Sequence, residues 1–209
     1  RKPYNHASLS SDLFLSEMYS FCRTYKRFPI PATFNVEVVG KGVLGMFNYI
    51  PCEIYEIPVT FEQKKKFELL IEHFKTNRKK YSYNYLGLGS ILLKIKYKNK
   101  NKFLCSQFTA YILQQIGIEL KKPVSLCTPE DLRHMPNCHL LYKGDLIQYY
   151  YELNKQLKFK GAWFFASDIS LIIAFIFSDV NIYVVNIMES FSFKTDKSIL
   201  YLLFKTDTS

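Results

Sequence analysis

Arginine is scarce in this chain: 5 of its 28 basic residues are Arg and the rest are Lys. The planar guanidinium fork is the preferred grip on phosphates and base edges. Its scarcity argues against nucleic acid as a partner and makes a solvated lysine face the plain reading of the charge. Cysteine is sparse and unpatterned. Cys22, Cys52, Cys105, Cys127 and Cys138 are an odd number and contain no CxxC. That disfavours a disulfide framework and a structural zinc site, and fits a reducing, cytoplasmic compartment. No motif calls for a metal or an organic cofactor. Long apolar runs are missing too. The most apolar stretch, Ile169 to Met188, is broken by Asp179, Asn181 and Asn186. Its unbroken part, Leu171 to Phe177, falls far short of the about 20 residues that span a bilayer, so it reads as buried core. No charged-then-apolar leader opens the sequence. The chain starts at Arg1, and we expect the trimmed product of a longer one.

What remains is a globular composition. The chain has 209 residues, 48% hydrophobic and 22% charged, which excludes a disordered, collagen-like or coiled-coil chain. Aromatics reach 17%, with 18 Phe and 16 Tyr, which favours β-structure and aromatic packing. The net charge of +10 is concentrated. Thr60 to Lys102 holds 12 basic residues against 3 Glu, a net of +9, and everything else sums to +1. Such a face steers anionic partners.

Tyr4 to Asp12 and Glu17 to Cys22 read as two strands, with a hairpin around Ser10 to Ser16. Gly40, Gly42 and Gly45 punctuate a loop read as lacking G-x-G-x-x-G spacing and with no strong helix following at once, so a nucleotide loop is not expected. Ile50 to Val59 alternates as a strand does. A helix follows, with Thr60 as N-cap and Gln63 closing a capping box. Phe67, Leu70, Ile71 and Phe74 form its apolar stripe, and the basic run Arg78-Lys79-Lys80 its end. His73 is expected to face solvent. Phe103 to Ile116 is a second helix, stopped by Gly117. Thr128-Pro129-Glu130-Asp131 starts a third. His134 and His139 read as surface-loop residues. Val180 to Ile187 and Ser198 to Thr206 read as late strands. We place the main domain at residues 1–149 and treat 150–209 as a C-terminal extension packed on it.

One cysteine differs from the others by position. Cys105 falls in the opening turn of the second helix. Unpaired amide N–H groups and the helix dipole favour an anion there, and so favour thiolate, the reactive form. Lys100 and Lys102 push the same way. Ser106 and Gln107 add polar groups, and the N–H of Cys105 is a candidate oxyanion donor. A cysteine nucleophile needs a base. His6 is the best placed, on a strand beside Ala7 and Ser8, which leave room for a helix. The base needs an orienting group, and Glu17 and Ser20 on the next strand are the candidates.

The segments YNHASLSSD, EMYSF, YSYNYLG, FLCSQFTAYILQQIGI and TPEDL follow one another in the chain. In that order they resemble the circularly permuted branch of the NlpC-type papain-like hydrolases, the YiiX-like proteins. The likeness spans about residues 3 to 149. In that branch the His strand precedes the Cys helix. The resemblance implies an α+β fold, a small antiparallel sheet packed against the helix that carries the Cys. It implies Cys105 as nucleophile, His6 as base and a third polar residue on the strand after the His, near Glu17 and Ser20. Tyr83 would correspond to an aromatic lining the site. The family usually has a further strand before the His, and the tail from Lys160 has no counterpart in it.

The implied activity is hydrolysis of an amide, in a peptide, a cell-wall peptide or an acyl-amine, through an acyl-enzyme. Two alternatives stand beside it. One is a lipid acyltransferase or thioesterase on the same Cys-His pair, and the other a non-catalytic module that binds an anionic surface through residues 60–102. The expected partner is therefore a small-molecule, peptide or lipid substrate.

Overall fold

The computed structural model describes residues 4–25, 27–28, 30–87, 100–155 and 199–205. The chain is α+β. Six strands form an antiparallel sheet: β1 (His6–Ser10), β2 (Met18–Arg23), β3 (Ala32–Glu37), β4 (Pro51–Pro58), β7 (His139–Asp145) and β8 (Ile199–Lys205). Their spatial order is β3-β2-β1-β8-β4-β7. Two short strands, β5 (Ser82–Tyr83) and β6 (Lys102–Phe103), pair in parallel just before the Cys105 helix.

The sheet has a hydrophobic cluster on each face, as the period-2 alternation of its strands requires. Ala7, Leu9, Tyr19, Phe21, Phe34, Leu202 and Phe204 meet two helices, α1 (Phe61–Thr76) and α2 (Cys105–Gln115). Met18, Cys52, Ile54, Tyr201 and Leu203 face the loop with Val39, Leu44 and Ile50, and the helical residues 146–155. Phe108 of α2 is fully buried, with its ring centroid 5.2 Å from Phe21 and 5.6 Å from Phe34. These aromatic contacts fix α2 on the sheet and so fix where its first turn points.

Local signals act where the sequence has them. The Thr60 hydroxyl accepts from the Gln63 N–H, and the Gln63 side chain accepts from the Thr60 N–H at 2.9 Å. Thr128 and Asp131 close the same reciprocal box at the start of α3 (Pro129–Arg133). His73 is exposed, as expected. Helix α1 ends at Thr76, short of the basic run, and Arg78–Lys80 forms a separate 3-10 turn after Asn77. His139 opens β7 and is not a loop residue, while His134 is an exposed C-cap.

The glycines at 40, 42 and 45 do have G-x-G-x-x-G spacing, but a phosphate loop needs a helix behind it. A 3-10 turn, Leu44–Met46, follows, and then an antiparallel strand. Gly45 is there for close packing: a Cβ on it would lie 2.6 Å from the Gly40 carbonyl oxygen.

Strand β8 comes from the stretch expected to be an extension, yet it lies inside the sheet, paired with β1 on one side and β4 on the other. Residues 156–198, which include the expected strand Val180 to Ile187 and the apolar Leu171 to Phe177, lie outside the described residues. Among the described residues no helix is long and apolar enough to cross a membrane.

Candidate active site

Cys105 is the first residue of α2. The preceding Leu104 cannot cap with its side chain. Gln107 instead turns back, and its Oε1 accepts from the Leu104 N–H at 3.1 Å and from the Asn84 amide at 3.0 Å. The Gln107 amide donates to the Ser125 carbonyl at 2.9 Å, and the Ser106 hydroxyl to the Cys127 carbonyl at 2.7 Å. Both side chains are buried and engaged within the chain. They anchor the helix start. Tyr83 is half-buried on β5, with its ring 5.0 Å from that of Tyr85.

The helix start meets β1 where the sheet opens. β1 pairs with β8 over all of His6 to Ser10, but with β2 only at Leu9 and Tyr19. Alternate residues of a strand send their backbone groups to the same edge. At the edge left by β2, the Cys105 thiol donates to the Asn5 carbonyl at 3.8 Å, and the Ala7 N–H points at the sulfur. The sulfur also receives the Ser106 N–H and lies beside the His6 imidazole. Burial pushes the Cys105 thiol up. The His6 charge, the His6 hydrogen bond and the two amides outweigh it, so its pKa lies below the ordinary thiol value. The other four cysteines have no such surroundings. Burial pushes Cys22, Cys52 and Cys138 up to about 12 and Cys127 to about 11.

His6 is held from its other side by Glu37. Its Nε2 lies 3.0 Å from Glu37 Oε1, which leaves Nδ1 for exchange with the thiol. Glu37 ends β3 and is buried. Its Oε1 also accepts from the hydroxyls of Ser8, at 2.9 Å, and Ser20. Its Oε2 pairs with the ammonium of Lys205. Burial raises the Glu37 carboxyl, but Lys205 and His6 bring it well below the usual carboxylate range. Burial lowers His6. The Glu37 charge and the Cys105 contact raise it against Lys205, to about 9.

With the Cys105 proton moved to His6, the four buried groups balance: thiolate, imidazolium, carboxylate, ammonium. This neutrality is what makes so many buried charges tolerable. Such a set can hold a thiolate ready for attack and return a proton to a leaving group. Among the described residues no three His, Cys, Asp or Glu groups could hold a metal ion.

The expected residues separate. Cys105 and His6, 99 positions apart, come together. Ser20 joins them through Glu37. Glu17 does not: its carboxylate takes the Lys75 ammonium at 2.7 Å and the Tyr19 hydroxyl at 2.8 Å. The carboxylate at His6 is Glu37, one strand further along the chain. The alternation of Ala32, Phe34 and Val36 with Thr33, Asn35 and Glu37 signals that strand and would have brought Glu37 into view. Lys205 falls in the expected strand Ser198 to Thr206, but nothing in the sequence pairs that strand with β1. Comparison with known proteins adds no family: no family model, no curated protein and no solved structure matches the chain.

Proposed function

We propose that this protein is a thiol hydrolase of the permuted papain-like kind, cleaving an amide bond in a peptide, cell-wall peptide or acyl-amine. One observation carries the reading: a cysteine at a helix start lies against a histidine whose other ring nitrogen is bound to a buried carboxylate. That is the nucleophile, base and orienting group of a cysteine hydrolase.

In this reading His6 Nδ1 takes the Cys105 proton and the thiolate attacks the amide carbonyl carbon. The Cys105 N–H receives the developing oxyanion. As the C–N bond breaks, His6 returns the proton to the leaving amine. Water, with His6 again as base, then cleaves the thioester and frees the acid and the thiol. Glu37 stays ionised throughout and holds the ring in place.

Site-resolved alkylation of the five cysteines with iodoacetamide between pH 5 and 9 tests this. Cys105 should react fastest at pH 6 and lose that lead in His6→Ala. A screen over amides and thioesters of graded acyl length then names the substrate. Equal rates at Cys105 and Cys22 would sink the proposal.

A further inference from the structure

Lys205 stands directly opposite His6 across the β1–β8 ladder. Two cations facing each other on neighbouring strands repel, and here both are buried. The pairing holds because one carboxylate bridges it, with Glu37 Oε1 on His6 and Oε2 on Lys205. We infer that Lys205 is a positioning residue of the site: its ammonium neutralises Glu37, so that His6 can release its proton during turnover and is not locked as imidazolium. The inference rests on reading Cys105 and His6 as the working pair.

The argument is one of charge. A buried carboxylate with His6 as its sole cationic partner would hold the imidazolium proton very tightly. A general acid held that tightly delivers its proton slowly. Lys205 shares the carboxylate and opposes the charge on His6. The titratable groups facing Lys205 are Glu37 on β3, His6 on β1, Cys22 on β2 and Cys52 on β4, with Cys105 beyond His6. Cys22 and Cys52 are pushed up to about 12 and carry no charge over the working range. Among the described residues Glu37 is therefore the anion Lys205 answers at pH 7, apart from the thiolate itself. Ser8 and Ser20 fix the carboxylate's orientation but bring no charge.

The test is an NMR titration of the His6 ring in protein labelled at histidine, with His6→Gln assigning the signal among the four histidines. In Lys205→Gln, which keeps a donor to Glu37 but removes the charge, the His6 midpoint should rise by about one pH unit, a tenfold tighter proton. Lys205→Arg should restore the original midpoint. An unchanged or lowered midpoint in Lys205→Gln overturns the inference. If Lys205→Gln does not fold, Glu37→Gln/Lys205→Gln leaves no unpaired charge. It must then titrate above Glu37→Gln alone, and equal midpoints overturn the inference. The hydrolase reading fails separately: Cys105 would show no alkylation lead in the unmodified protein, while the His6 midpoint would still report on Lys205.

Discussion

Two glutamates are buried in this sheet, and they serve different ends. Glu53 on β4 faces the side that carries α1 and α2, in register with Phe204. Glu37 on β3 faces the other side, in register with Met18. Glu53 is held by Arg133 at 2.6 Å, Lys143 at 3.1 Å and the Tyr55 hydroxyl at 2.9 Å. Arg133 in turn stacks over the Tyr4 ring at 5.0 Å and pairs with Glu130. The cations on Glu53 are an arginine and a lysine, and among the described residues no histidine or cysteine pairs with it. Glu37 is buried too and has one lysine, but its second partner is a histidine that meets a thiol. A buried carboxylate is thus no sign of chemistry by itself. What matters is whether its partner can gain and lose a proton beside a reactive atom.

The sharpest way to break the comparison is Glu53→Ala. It leaves the partly buried Arg133 without its main anion and should cost about 3 kcal/mol, lowering Tm by roughly 6 to 12 °C. The folded fraction should keep the Cys105 alkylation profile, because nothing in the Glu53 network touches the thiol. A changed profile would mean that the two networks are coupled.

His6→Ala should do the converse. At pH 6 the Cys105 alkylation rate should fall by about one to two orders of magnitude, since each unit of thiol pKa is a factor of ten in thiolate. Cys22, Cys52, Cys127 and Cys138 should keep their slow rates, read by peptide mass spectrometry.

Stability against pH sharpens the comparison further. A histidine raised to about 9 contributes stability that is complete below its unfolded value, about 6.5, and fades as pH rises through 9. The lowered Cys105 does the opposite. It adds stability as pH rises toward the unfolded thiol value, about 8.5. Between roughly 6.5 and 8.5 the two contributions oppose each other, so the pair flattens the fall in stability that His6 alone would give. Cys105→Ser removes the compensating group. Its urea-unfolding free energy should fall by on the order of 1 to 2 kcal/mol over that range. An equal slope in both proteins would refute the thiolate–imidazolium state. In acid, Glu37 contributes stability above the ordinary carboxylate range that is lost as pH falls through its lowered folded value.

Ser106→Ala removes the bond to the Cys127 carbonyl and should cost about 1 kcal/mol. The smallest effect belongs to Glu17→Gln. Its pair with Lys75 is partly exposed on both sides, so stability should change by less than about 0.5 kcal/mol. The Cys105 rate should not change, whereas Glu37→Gln should reduce it, and that contrast separates the expected orienting carboxylate from the one at His6.

Much of the site could be read from local pattern. The helix start at Cys105, the strand at His6 and the caps at Thr60 and Thr128 all rest on neighbours within a few residues. Such spacing is visible in one dimension. The orienting residue is expected on the strand that follows His6 in the chain, whereas the carboxylate at His6 comes from β3. The open β1–β2 edge lets a side chain from β3 reach across, and Ser20 ends up supporting that side chain instead of replacing it. Lys205 was unreadable for another reason. Its strand enters the sheet from the far end of the chain, and pairing over such a separation is set by which hydrophobic face must be covered, not by any nearby residue.

The sequence by itself determined several of the elements and the candidate nucleophile: a thiol at a helix start, a histidine on an early strand, and a charge carried mainly by residues 60–102. Only the tertiary structure decided the partners. Which carboxylate reaches His6, which lysine balances it, and which of the polar residues beside Cys105 anchor the helix all depend on strand order and on the neutrality a buried cluster must reach. Those are sums over residues distant in the chain, and no local pattern contains them.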